Sequence, residues 1–153
     1  MHNTPTPDEL LEVVARYLTE VAMPLLPPAA AFHARVAANA VSVVRRQIAL
    51  APAQEAAERA RLAALLGSAM PEEAVPVADG GLVQANQALS QAIAQGRVAL
   101  DDPALLAHLW QTTLDRLAVD QPGYASYQAE LARTAAAAPA APGAAQPPAD
   151  NAR

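Results

Sequence analysis

Apolar residues in this chain recur three and four positions apart and never alternate over more than a few residues, a pattern that suits helices and leaves no strand. Leu10, Val14, Tyr17, Leu18 and Val21 fall on one face at that spacing, with Glu12, Arg16 and Glu20 opposite. The start of this helix is encoded locally. Thr6-Pro7-Asp8-Glu9 supplies a capping Thr, a Pro at the first helical position and a Glu three residues after the cap. Met23-Pro24 is expected to end the helix, with residues 25–28 as a stiff connector.

A second helix is expected from about Ala29 to Leu50, burying Phe32, Val36, Ala40, Val43 and Leu50. A third begins near Pro52 and stops at Gly67, a natural C-terminal cap. It carries an alanine face (Ala53, Ala56, Ala57, Ala60) suited to close packing, and Glu55–Arg59 and Glu58–Arg61 at ion-pair spacing. Residues 68–81, with two Pro, two Gly and three acids, read as a loop. A fourth helix covers about Leu82 to Gln95, closed by Gly96. A fifth starts at Asp102-Pro103 and runs to about Val119, with Leu106, Leu109, Trp110, Leu114 and Leu117 inward. A short sixth is compatible with Tyr124 to Arg133. The expected fold is an all-α, compact bundle of about five helices over residues 5–133. Residues 134–153 are almost only Ala, Pro, Gly and a few polar residues, which bury too little to offset ordering, so a disordered tail is expected there.

At 53% hydrophobic and 3% aromatic, the 153 residues allow one domain with an aliphatic, closely spaced core. Net charge is -5, a poor balance for general nucleic-acid binding. No Cys is present, which removes disulfides, thiolate metal sites and a cysteine nucleophile. The N-terminus is acidic where a signal peptide is basic, and no apolar run approaches a membrane span, so a soluble cytoplasmic protein is expected.

Arg35, Asn39, Ser42 and Arg46 stack in one narrow stripe, and residues 29–50 hold three Arg and no acid. The plain reading is a solvated helix face; the sharper one is a docking surface for a carboxylate or phosphate. His33 lies on another side of that helix, His2 is terminal, and His108 falls with Gln111 and Asp115 on the polar face of its helix. No two His share a ligand spacing, so no metal and no cofactor is expected. Asn86 sits in the apolar row Leu82–Leu89–Ile93, where a buried amide needs a partner from the protein or a ligand. Phosphate-loop, GxSxG and HExxH motifs are absent, and the paired acids fall at caps or in a loop. No catalytic residue is assigned. An enzyme with an unrecognised site around the second helix would need several of His33, Arg35, Asn39, Asn86 and His108 to converge.

Four runs together resemble a known family: Thr6-Pro7-Asp8-Glu9-Leu10-Leu11, Phe32 to Ala40, Asp101 to His108, and Leu117 to Tyr124, a match over roughly residues 5–127. It is a family of small helical bacterial proteins of undefined function, found alongside aminoglycoside-phosphotransferase-like kinases and acyl-CoA dehydrogenases. One branch resembles the small subunit of a 4-hydroxyacyl-CoA kinase. The chain departs from the family's Arg-Glu at Arg46-Gln47, and from its Asn-Pro-Arg-Tyr at Gln121 to Tyr124. The resemblance implies a non-catalytic accessory subunit of a phosphotransferase-like kinase, with an acyl-CoA met only through that partner. Arg35, Asn39 and Arg46, with Asp120 and Tyr124 after the fifth helix, are the expected partner-binding residues. A stand-alone small-molecule-binding or scaffold bundle is the alternative, and a homo-oligomer is compatible with either.

Overall fold

The computed structural model describes residues 4–69 and 81–137. Among them the chain is all-α, with five helices and no strand. The first helix begins at Pro7–Arg16 (α1), widens into a π-helical stretch at Tyr17–Ala22 and closes with the turn Met23–Leu25. Its start is the expected capping box: the Glu9 amide donates to the Thr6 hydroxyl (3.3 Å), and the Thr6 amide donates to Glu9 Oε2 (2.7 Å). Pro24 stands in this closing turn, and the helix ends one residue beyond it at Leu25, where Leu26, before Pro27, is extended.

The second element corrects the expected helix–break–helix. Residues 28–69 form one 42-residue helix, α2 (Pro28–Ala69), with Pro52 inside it. At 1.5 Å per residue it spans roughly 63 Å. Pro52 cannot donate to the Ile48 carbonyl, a local loss that the helix carries without ending. Gly67 is not a cap; positive φ occurs only at Gly81 and Gly96 among the described residues. Helix α3 (Gly81–Ala94) ends as expected at Gly96, whose φ of +70 lets Arg97 N–H reach the Ala92 carbonyl (2.9 Å) and Gly96 N–H the Ile93 carbonyl (3.0 Å). Helix α4 (Pro103–Asp120) starts on Asp102, whose carboxylate accepts from the Ala104 and Leu105 amides.

The chain divides into two compact units, residues 1–122 and 123–153. The second holds α5 (Ala125–Ala137), which carries helix four residues into the segment expected to be tail. Residues 70–80 of the expected loop and 138–153 of the expected tail lie outside the described residues.

In the first unit, α2 is the spine. The first helix packs on its N-terminal half and α3 and α4 on its C-terminal half. The core is Leu62, Leu65 and Leu66 of α2 with Ala85, Leu89 and Ala92 of α3, Val98, and Leu105 of α4. Several residues expected inside are not. Leu10, Val14, Tyr17 and Val21 are about half exposed, as are Phe32, Val36, Leu106, Leu109 and Trp110. Ala53, Ala56, Ala57 and Ala60 face solvent. On α4 the buried row is Leu105, His108 and Val119, with Thr112 and Asp115 part-buried between them, one step around from the row chosen by side-chain size.

Two stability measurements test this packing. Leu62, fully buried, should cost about 2–5 kcal/mol on replacement by Ala in a denaturant titration. Pro52→Ala should stabilise by about 1–3 kcal/mol, because it restores a bond within a continuous helix; a neutral or destabilising result would mean that Pro52 terminates a helix.

Candidate functional site

Two polar sites lie on α2, one on each half. The first is a groove of about 450 Å³ between the first helix and the N-terminal half of α2. Glu12, Arg16, Thr19 and Glu20 line one wall, and Arg35, Asn39, Ser42 and Arg45 the other. The wall from α2 holds three of the four residues of the stripe read from sequence, Arg35, Asn39 and Ser42, turned toward the first helix because Ala34 and Ala38, beside them, bury against it. Arg45, which was not singled out, fixes the groove. Its Nε donates to Asp8 Oδ1 (2.9 Å), and its Nη2 to Asp8 Oδ2 (3.1 Å) and Glu12 Oε2 (3.2 Å). The Arg45 hydrogen bond holds the Asp8 carboxyl below its ordinary value, and Asp8 in turn raises Arg45. The Thr6 amide and hydroxyl likewise lower Glu9. With Arg45 so engaged, Arg16 and Arg35 are the guanidinium groups of the groove without an ion-pair partner among the described residues.

The expected partner-binding residues are only partly brought together. Arg35 and Asn39 share the groove. Arg46 is turned elsewhere: its Nε donates to the Val119 carbonyl (2.5 Å), tying α2 to the C-terminal end of α4, where backbone carbonyls carry partial negative charge. Asp120 lies beside that contact on the rim of the second site. Tyr124 is exposed at the start of the second unit.

The second site is a cleft of about 270 Å³ between the C-terminal half of α2 and α4, lined among others by Gln54, Glu58, Thr112, Asp115, Arg116 and Asp120. Behind it runs a polar seam. Arg61 Nη2 meets Asp115 Oδ2 at 3.1 Å, and Gln54 Nε2 donates to the Asp115 carbonyl (3.1 Å). His108 stands in this seam, 2% exposed. Burial, then the nearby Arg61 charge, lower its pKa, with Glu58 acting weakly the other way, so the imidazole is neutral at pH 7. Arg61 Nε, His108 Nδ1 and Thr112 Oγ1 are buried without a hydrogen-bond partner among the described residues. The sequence carries a sign of this seam: Thr112 shares helical spacing with His108 and Asp115, two of the three residues of the expected polar face, whereas Gln111 is exposed.

Asn86 is exposed, not in the buried row. Its Nδ2 donates to Glu58 Oε1 and to the Leu82 carbonyl, both at 2.9 Å. The residues that a hidden active site would need to gather are therefore dispersed: Arg35 and Asn39 in the groove, His33 exposed on another row, Asn86 on α3, His108 inside the seam. No group of three His, Cys, Asp or Glu with metal-binding geometry occurs among the described residues, and no helix there is long and apolar enough to cross a membrane.

Residues 24–124 match the profile of a family described as "Domain of unknown function (DUF6285)". No curated protein and no solved structure matches the chain.

The seam sets a pH test. A folded pKa below the unfolded value of 6.5 means that the unfolded chain binds the proton more readily, so this stabilisation is full above 6.5 and is lost as pH falls below it. Stability should decline on acidification from pH 7 toward 5, before the carboxylates titrate. His108→Leu should flatten that decline; an unchanged slope in the variant would show that His108 is not its source.

Proposed function

We propose that this chain, which belongs to the family described as "Domain of unknown function (DUF6285)", acts as a non-catalytic accessory subunit of a phosphotransferase-like kinase acting on hydroxyacyl-CoA, the role implied by the resemblance of its four sequence runs. The observation that supports this reading is the groove. Arg16 and Arg35, in one groove with the Asn39 amide and Glu20, carry guanidinium groups without an ion-pair partner among the described residues, while Arg45 is held by Asp8 and Glu12. Such a surface suits an acidic segment of a partner protein, since guanidinium grips carboxylate in a fixed geometry. The two hydroxyls of the groove, Thr19 and Ser42, donate to backbone carbonyls of their own helices, and on this reading the groove holds another protein. The four sequence runs resemble a family of which one branch resembles the small subunit of a 4-hydroxyacyl-CoA kinase, and the partner class is proposed from that resemblance.

A second reading, a stand-alone small-molecule-binding bundle, is favoured by the cleft. Thr112 Oγ1 is an unpartnered buried oxygen on its wall, beside the charged Arg116 and Asp115. A thermal-shift screen of polar metabolites, with Thr112→Val as control, separates the readings; binding lost in the control supports the cleft.

The direct test is co-expression with a kinase encoded beside it, followed by co-purification and a phosphorylation assay with and without this protein. Arg35→Ala combined with Asn39→Ala should leave the fold intact and weaken the complex by about 1–3 kcal/mol per buried charged contact. Arg46→Ala is expected to cost stability instead, because it frees the Val119 carbonyl. A kinase that neither binds this protein nor responds to it would overturn the reading.

A further inference from the structure

The hairpin formed by the first helix and the N-terminal half of α2 lacks a core of its own. The first helix has no buried residue, and between Pro28 and Arg61 only Ala34 and Ala38 are buried. Three parallel rows explain where its apolar residues went. On the first helix, Leu11, Ala15, Leu18 and Ala22 turn toward α2. Glu12, Arg16 and Thr19, one residue later, line the polar groove. Leu10, Val14, Tyr17 and Val21, one residue earlier, occupy the opposite side and lie open. Helix α2 repeats the arrangement. Ala34, Ala38, Val41 and Arg45 face inward, Arg35, Asn39 and Ser42 line the groove, and Ala37, Ala40, Val44 and Ile48, with His33 at the head of their row, fall on the side away from it. One side of the hairpin is thus polar and the other is apolar, with no Asp, Glu or Arg in either apolar row.

We propose that a second copy of this chain covers the apolar side, so that two hairpins pair face to face as a four-helix bundle. The spacing supports it. Leu10–Val14–Tyr17–Val21 steps by four, three and four, the repeat of helices that interlock in such bundles. Alanines at 37 and 40 leave room opposite the large side chains of the first helix. The area fits as well. Leu10, Val14, Tyr17, Val21, Leu25, Val44 and Ile48, each about half exposed or more, present roughly 600–800 Å² per copy, which is what one partner brings to a stable interface. Under two-fold symmetry the patch meets itself, and its two rows set no Asp, Glu or Arg against a like charge.

Other covers fit less well. Residues 138–153 contain no apolar side chain larger than Pro, and residues 70–80 carry Glu72, Glu73 and Asp79. A partner that comes and goes would leave a hairpin without a core exposed in its absence, whereas a second copy is always present in equal amount. The interface stands on the side away from the Arg35–Asn39 groove, so it is independent of the kinase reading.

Sedimentation equilibrium of the full chain at tens of micromolar should return twice the 15.8 kDa chain mass. Val14→Glu combined with Val44→Glu should weaken self-association roughly a hundredfold or more, because a buried charge without a partner is costly, with helicity by circular dichroism retained. If that variant unfolds, a second measurement decides. The chain has no Cys, so the thiol of Val44→Cys reports alone. Its alkylation should be slow in concentrated protein and fast on dilution. A monomeric wild type, a dimer that survives both charges, or a thiol whose protection ignores concentration would each overturn the proposal.

Discussion

Leucine packing at one end of α2 is the constraint on which the first unit depends. Leu62, Leu65 and Leu66 gather α3 and α4 onto the C-terminal half of the helix, and the buried residues there form one contiguous cluster. Since α2 continues as a single rod, this core also fixes the direction in which its N-terminal half projects. Arg46 adds a bracket at the middle of the rod, joining it to the last turn of α4 through the Val119 carbonyl. A break at Pro52 would uncouple the two halves; its absence lets one end hold the core while the other carries the groove.

Polar groups do different work on the two halves. In the hairpin, Arg45 with Asp8 and Glu12 forms a half-exposed clasp that orders the groove more than it stabilises the fold, because solvent screens such pairs. In the α2–α4 seam, Arg61 and Asp115 are better shielded, and His108 is kept neutral within it. A part-buried ion pair beside a neutral imidazole is selective more than strong: it fixes which face of α4 meets α2, since a one-step rotation would leave Arg61 without Asp115.

That rotation is where the sequence misleads. Local signals were legible: the Thr6–Glu9 capping box, the Asp102 cap and the Gly96 stop all stand where their side chains and spacing place them. The faces were not. Leu106, Leu109 and Trp110 outweigh Leu105, His108 and Thr112 in apolar size, yet the structure turns the latter row inward, with Leu105 in the leucine cluster and Asp115, farther along the same face, held by Arg61 and Gln54. The same preference for large residues placed Phe32 and Val36 inside, although small Ala34 and Ala38 let the first helix approach. Pro52 looked like an end because it lacks an N–H, but one lost bond is small beside the packing of a whole helix. Of the candidate site, Arg35 and Asn39 were legible from their stripe; Arg45 was not, since its partners Asp8 and Glu12 stand more than thirty residues away in sequence.

The continuity of α2 is the central claim, and a distance measures it directly. The cysteine-free chain accepts spin labels at Ala29→Cys and Ala64→Cys, both on exposed positions of that helix. Pulsed dipolar spectroscopy, with labelled protein diluted into unlabelled chain, should give a separation of roughly 50 Å, as 35 residues of unbroken helix require. A distribution centred below roughly 30 Å would mean that the chain turns back at Pro52, and would contradict the spine, the groove's placement and the open apolar rows together.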